Sequence, residues 1–292
     1  MEKTVFSEKA PGLAIDEVIR DYDFSMPVRH FHDTCEIYYL KSGSRYYFID
    51  SISFPVKEGD LVLIDREQIH RTSTLTAPYH DRILLQISPD IVKPLEGSFG
   101  MPSLSAVFRD AGSVIHLSLS EREEALRLFE VIRNELQQKL PGGIAASKLA
   151  VADLLILILR TRKNRLSRDS SSVRESLLSP RHKKVNEIAE YLQQNCTVNE
   201  PVSTVASRFY LSTPWLNRIF REVTSLSVNE YRTVMRLKKA QSLLTHTALS
   251  VTEISEECGF NTVTYFEKIY RRYFSETPLA YRRQLKQADK NL

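Results

Sequence analysis

Trp215-Leu216-Asn217-Arg218-Ile219-Phe220-Arg221 returns fifty residues later as Tyr265-Phe266-Glu267-Lys268-Ile269-Tyr270-Arg271. Tyr231-Arg232 returns as Tyr281-Arg282 at the same offset. Upstream, Val202-Ser203-Thr204-Val205-Ala206 matches Val251-Thr252-Glu253-Ile254-Ser255 at an offset of forty-nine, so the second copy carries one extra residue in its turn. Two copies are too few for a solenoid, which needs three or more repeats. They suit a pair of small, similar helical units. Each copy reads as helix, tight turn, helix. In the second copy Val251 to Cys258 forms the first helix, and Gly259 supplies the left-handed conformation that other residues resist. Thr262 is the predicted N-cap of the next helix, as Ser212 is in the first copy. Pro214 sits early in its helix, where a missing N–H costs little.

A helix-turn-helix lays its second helix in the major groove of DNA. The helical wheel turns Leu216, Ile219 and Phe220 inward in one copy, and Phe266, Ile269 and Tyr270 in the other. That leaves Ser212, Thr213, Pro214, Asn217, Arg218 and Arg221 as the outward, DNA-binding set of the first unit. Thr262, Val263, Thr264, Glu267, Lys268 and Arg271 form the matching set of the second. Asn and Arg pair with adenine and guanine, Glu accepts from cytosine, and Val meets a thymine methyl. Arg221 and Arg271, further along, suit phosphate, which positions without specifying. For any one of these side chains an ordinary solvated helix face is the competing reading. Two linked units would occupy successive groove segments about 34 Å apart.

Charge agrees with that partner. The net +4 of the 292-residue chain is uneven: Arg181 to Leu292 holds 17 Lys+Arg against 11 Asp+Glu, the remainder 23 against 25. A basic domain suits a polyanion, because each neutralised phosphate releases counterions. The longest apolar run, Leu154 to Leu159, is far short of the ~20 residues that span a bilayer, and no signal core opens the chain. The expectation is a soluble, cytoplasmic protein with no membrane partner. Cys35, Cys196 and Cys258 form no CxxC pair and read as buried thiols.

Ile254-Ser255-Glu256-Glu257-Cys258-Gly259-Phe260, Tyr265-Phe266, Thr277-Pro278 and Tyr281-Arg282 closely resemble the signature of AraC/XylS-type regulators, over about Arg181 to Lys286. The resemblance implies seven helices, a long one from about Val228 to Leu244 joining the two DNA-reading units. Two residues depart from the family pattern: Ser255 stands where Ala is usual, and Ser275 where Gly is usual.

Residues 5 to about 116 read as β-rich. Cys35–Leu40, Arg45–Asp50, Asp60–Ile64 and Arg82–Ser88 are short apolar runs, separated by turn stretches at Lys41–Ser44 and Lys57–Asp60. Many short strands predict a barrel or sandwich. His30-Phe31-His32 with Glu36, and a later stretch from Gly59 to His70, resemble the two cupin motifs, although Asp65 and Glu67 replace the usual Pro and Gly. A cupin barrel is the usual sensor of AraC-type regulators. The candidate ligand-binding residues are His30, His32, Glu36, Tyr38, Tyr46 and His70, with Phe48 a further pocket wall. Imidazole and carboxylate at His30, His32, Glu36 and His70 also make a candidate divalent-metal site. A metal-free polar pocket is preferred to it, so no cofactor is expected.

Ser120 with Glu123 reads as a capping box opening a helix, with Leu126, Phe129, Val131, Ile132, Leu136 and Leu140 as its apolar stripe. Pro141-Gly142-Gly143 ends it. A second helix, about Ile144 to Arg162, carries Leu149, Ala152, Leu155, Ile156 and Leu159. This apolar breadth predicts dimerisation. Ser-rich 166–180 reads as a linker.

The fold class is therefore α+β and multidomain: a cupin-like effector-binding barrel (1–118), a helical dimerisation segment (119–165), a linker (166–180) and an all-α DNA-binding domain with two helix-turn-helix units (181–288). The function expected is a sequence-specific transcription regulator, an activator, responding to a small polar ligand such as a sugar. It is not expected to be an enzyme. Its partners would be double-stranded DNA, a small-molecule effector, RNA polymerase and a second copy of itself. The alternative is a metal-dependent cupin enzyme fused to a DNA-binding module.

Overall fold

The computed structural model describes residues 1–24, 34–66, 68–98, 104–109, 114–165 and 178–290. The chain divides into two compact units, one holding most of the residues before Ser179 and the other running from Ser179 onward together with Asp50–Ile52. Most of the expected linker, 166–177, lies outside the described residues, as do His30, His32 and Glu67. Among the described residues no helix is long and apolar enough to cross a membrane. The three cysteines are free and buried. Burial pushes the Cys35 and Cys258 thiols up to about 12, which leaves both protonated and unreactive near neutral pH.

Among the described residues the first unit is an antiparallel β-structure of eight strands: β1 (Glu2–Ala10), β2 (Leu13–Asp21), β3 (Cys35–Ile49), β4 (Ile52–Lys57), β5 (Asp60–Ile64), β6 (His70–Thr74), β7 (Tyr79–Ile87) and β8 (Val114–His116). The strand order is β1-β2-β7-β3-β5-β8, with β4 and β6 also on β3. Strand β3 corrects the sequence reading. Lys41–Ser44 is not a turn between two strands but the middle of one fifteen-residue strand. Its first half lies between β7 and β5, and Tyr38 sits opposite Leu84 and Val62. Its second half pairs β6, with Tyr47 opposite Thr72. A bulge between Leu40 and Ser42 separates the halves. The turn-forming residues Ser42 and Gly43 bend the strand without ending it, as bulges do.

Alternation along β3 sends Ile37 and Tyr39 to one face, and Tyr38 and Leu40 to the other. Ile37 and Tyr39 join a core with helices α3 (Leu119–Gln138) and α4 (Gly143–Arg165). Tyr38 and Leu40 join Tyr47, Ile49, Val62 and Ile64 in a second core, the barrel interior. Two short helices, α1 (Pro89–Ser98) and α2 (Leu104–Arg109), which the β-rich reading did not foresee, precede β8.

The helical segment differs in detail from its sequence reading. The capping box is Ser118 with Glu121, not Ser120 with Glu123. Both pairs have the required spacing, and β8, ending at His116, sets where the chain enters the helix. The buried face of α3 is Ala125, Leu128, Phe129, Ile132 and Leu136, whereas Leu126 and Leu140 are exposed. In α4, Val151, Leu154, Leu155 and Ile158 are buried and Leu149 is exposed. The two helices pack on each other and on the barrel; the Phe129 ring lies 5.8 Å from that of Tyr39.

The second unit is helical: α5 (Pro180–Gln194), α6 (Val202–Arg208), α7 (Thr213–Thr224), α8 (Val228–His246), α9 (Val251–Glu257), α10 (Val263–Phe274) and α11 (Pro278–Lys290). Helix α8, roughly 28 Å long at 1.5 Å per residue, packs against α5 and α7 and also against α9 and α11.

Gly43 has φ +98°, and a Cβ there would meet the Tyr79 carbonyl oxygen at 2.5 Å. Gly43→Ala is predicted to destabilise the first unit by about 2 kcal/mol. Urea unfolding checks this, and an unchanged midpoint would contradict the role given to the β3 bend.

Candidate functional site

Each predicted DNA-reading helix begins at the cap read from the sequence. The Ser212 hydroxyl accepts from the Trp215 N–H, with Pro214 in the first turn of α7. The Thr262 hydroxyl accepts from the Tyr265 N–H at the start of α10. These bonds satisfy backbone donors that a helix start otherwise leaves open. Both helices end on a left-handed serine, Ser225 at φ 63° and Ser275 at φ 62°. Ser275, where the resemblance led one to expect Gly, therefore adopts a glycine-like conformation, and its counterpart fifty residues upstream does the same.

The two turns repeat the same backbone hydrogen bonds. Leu211 N–H donates to Ala206 O, and Phe260 N–H to Ser255 O; Tyr210 N–H donates to Ser207 O, and Gly259 N–H to Glu256 O. Each pair is forty-nine residues apart, so the extra residue is Asn261. The left-handed position is Gly259 (φ +76°) in one copy and Tyr210 (φ 58°) in the other. A Cβ on Gly259 would lie 2.2 Å from the Thr197 carbonyl oxygen, whereas the Tyr210 side chain stands 96% exposed. The copies share a backbone path but differ in what surrounds it.

Burial sorts the side chains as the wheel predicted. Leu216, Ile219 and Phe220, and Phe266, Ile269 and Tyr270, are buried. Ser212, Pro214, Arg218, Arg221, Thr262, Thr264, Glu267, Lys268 and Arg271 are exposed, and Thr213, Asn217 and Val263 half-buried. The Arg218 guanidinium lies 4.1 Å over the Trp215 ring, a cation–π contact between neighbours on one helix face. Asn217, Arg218 and Arg221 line an open groove of about 680 Å³ that also takes in Ser227 and Asn229 at the start of α8. Those last two were missed from sequence; the signal was the capping box Ser227 with Glu230.

Helix α8 carries both units. Leu237, Ala240 and Leu244 belong to the core that holds Ile254, Phe266 and Tyr270. Nearer its start, the Phe220 ring meets Tyr231 edge-on at 5.3 Å. Two α8 arginines tie down the connector before α6: Arg232 donates to the Glu200 carbonyl at 2.7 Å, and Arg236 to that of Cys196 at 2.5 Å.

In the barrel, Glu36 and His70 come together, 2% and 7% exposed, with Oε2 and Nε2 3.5 Å apart. Gln86 donates to the other Glu36 oxygen at 3.0 Å. Tyr38 is buried beside Tyr47, ring centroids 5.0 Å apart. Tyr46 is half-buried and, with Phe48, alternates to the opposite face from Tyr47, so Tyr47 takes the place expected for Tyr46. Among the described residues no three His, Cys, Asp or Glu side chains cluster as metal ligands.

Residues 18–152 match the AraC-like ligand binding domain family, and residues 205–284 match a helix-turn-helix domain family. The HTH-type transcriptional activator RhaR of Enterobacter sp. (strain 638) is 26% identical, over 99% of this chain and 98% of its own length. The activator RhaS of the same strain is 26% identical over 85% of each chain. Among solved structures, ToxT of Vibrio cholerae O395 aligns with 94% of this chain and 99% of its own at 11% identity, with a TM-score of 0.37.

Ser255, the departure from the family's usual Ala, is 1% exposed and its hydroxyl has no hydrogen-bond partner among the described residues. Ser255→Ala is therefore predicted to stabilise the second unit by about 1 kcal/mol. Gly259→Ala, four residues on, should cost about 2 kcal/mol or more. Denaturant melts of the two variants, read side by side, check the opposite signs.

Proposed function

We propose that the chain, whose residues 18–152 match an AraC-like ligand binding domain and residues 205–284 a helix-turn-helix domain, is a ligand-responsive transcription activator. The observation that carries the DNA half is the pair of capped, outward-facing helices α7 and α10, held on one shared helix. With their first turns in successive major-groove segments, Asn217 and Arg218 would read one half of the site, Glu267 and Lys268 the other. Because the two sets differ, one chain would recognise an asymmetric sequence. Arg221 and Arg271, a turn further on, would hold phosphate.

The sensor half rests on the barrel interior, where Glu36, Gln86 and His70 form a polar end beside Tyr38. Hydrogen-bonding groups against aromatic walls suit a small polyhydroxylated ligand. RhaR and RhaS are activators by name, not enzymes; activation as the sign of control, and a sugar-like effector, are carried over from them as part of this proposal. So are contact with RNA polymerase and a homodimer. Leu140, Ile144 and Leu149, left exposed where α3 meets α4, favour a second copy docking there.

Replacing both Arg218 and Lys268 by Ala is predicted to weaken operator binding about thirtyfold or more, from about 1–3 kcal/mol lost per base contact. The melting temperature should stay unchanged, since both side chains are exposed. A footprint and Kd equal to wild type would rule out α7 and α10 as the reading helices.

A further inference from the structure

Arg45 is the largest fully buried side chain among the described residues, with no solvent exposure at all. It shares its strand face with Tyr47 and Ile49 and so points into the barrel. Its Nε donates to Thr72 Oγ1 at 3.1 Å, its Nη1 to Thr74 Oγ1 at 3.2 Å and its Nη2 to the Phe24 carbonyl at 2.5 Å. All three acceptors are neutral. Among the described residues no carboxylate lies within ion-pair distance; Asp23 is one step removed, accepting from Thr74 at 2.6 Å. Arginine is rarely buried without an anionic partner, because desolvation of the charge is not repaid. Three of the five guanidinium N–H groups are accounted for, and two remain.

A second donor stands on the same face. The Tyr38 hydroxyl is buried and has no hydrogen-bond partner among the described residues. Its ring packs on Tyr47, two residues from Arg45. Burial pushes Tyr38 up to about 12, so it stays a neutral O–H donor, and Arg45 leads the charges acting on it. The surroundings are positive: burial, with Arg45, Arg20 and Arg82 reinforcing it, pushes His80 down to about 4. Two residues along β3 from Tyr38, roughly 7 Å away on the same face, the Glu36–Gln86 pair offers acceptor and donor to hydroxyl groups.

We propose that the barrel's effector is a polyhydroxylated carboxylate, an acid of sugar type, with its carboxylate on Arg45 and Tyr38 and its hydroxyls toward Glu36 and Gln86. This rests on the reading of the barrel as the sensor and specifies what it senses. The anion supplies the partner that Arg45 lacks, and the site disfavours a neutral sugar because that would leave the guanidinium buried and uncompensated.

The test uses the full chain, with D-galacturonate and D-glucuronate set against D-galactose and D-glucose at equal ionic strength. At a hundredfold excess over Kd a binding uronate should raise Tm by about 5 °C or more, and the neutral sugars should not. Arg45→Met keeps the length of the side chain and removes its charge. It should melt at or above the wild-type temperature without ligand and lose the uronate shift. Tyr38→Phe should weaken uronate binding about tenfold at unaltered Tm. A lower melting temperature for Arg45→Met would make Arg45 a structural residue and overturn the proposal, as would no shift from either uronate. A shift from the neutral sugars alone would also overturn it while leaving the sensor reading intact. Failure of the DNA-reading proposal would show separately, in the Arg218 and Lys268 footprints.

Discussion

Helix α8 must bury side chains toward two sets of neighbours, and the DNA-binding unit is organised by that requirement. Nine of its nineteen residues are buried, too many for one amphipathic stripe against one partner. Tyr231 and its neighbours face the first helix-turn-helix, and Leu237, Ala240 and Leu244 the second. A close-packed interior resists rotation of either unit about the shared helix. The spacing and phase of α7 and α10 are thereby set by packing within the unit itself. The capping box at Ser227 and Glu230 sets where α8 begins and so where the first unit attaches.

The barrel obeys a comparable constraint at one strand. Strand β3 belongs to two sheet regions, and its bend at Gly43 lets Tyr38 and Tyr47, nine residues apart, meet inside. The same bend brings Arg45 to the interior. On the opposite face Ile37 and Tyr39 are covered by α3 and α4. One strand thus builds both an apolar core against the helices and the polar groups of the barrel interior. These are separate demands, met by alternate residues.

Local signals survived from sequence to structure where they depended on near neighbours. The caps at Ser212 and Thr262, the turn at Gly259 and the inward positions of α7 and α10 all involve residues within a few positions of one another. The readings that shifted depended on distant chain. Lys41–Ser44 carries turn residues yet bends through a strand, because β6 and β7 pair with its two sides. Ser118 and Ser120 offer equivalent capping boxes, and only the position of β8 separates them. Leu126 and Leu149 fit helical stripes, but the face that the barrel covers is rotated to Leu128 and Leu154.

The sequence by itself determined the two-unit DNA-binding architecture, since an offset repeat with matching caps and buried positions has few other solutions. It also determined which side chains of α7 and α10 face outward, because helical periodicity is a local property. Only the tertiary structure decided the contents of the barrel. Arg45, beside the expected turn, carried no sequence signal as an interior residue. Its burial follows from the pairing of β3 with β6, a contact between residues twenty-nine apart. The charge it places there is a consequence of strand register, which no run of neighbouring residues encodes.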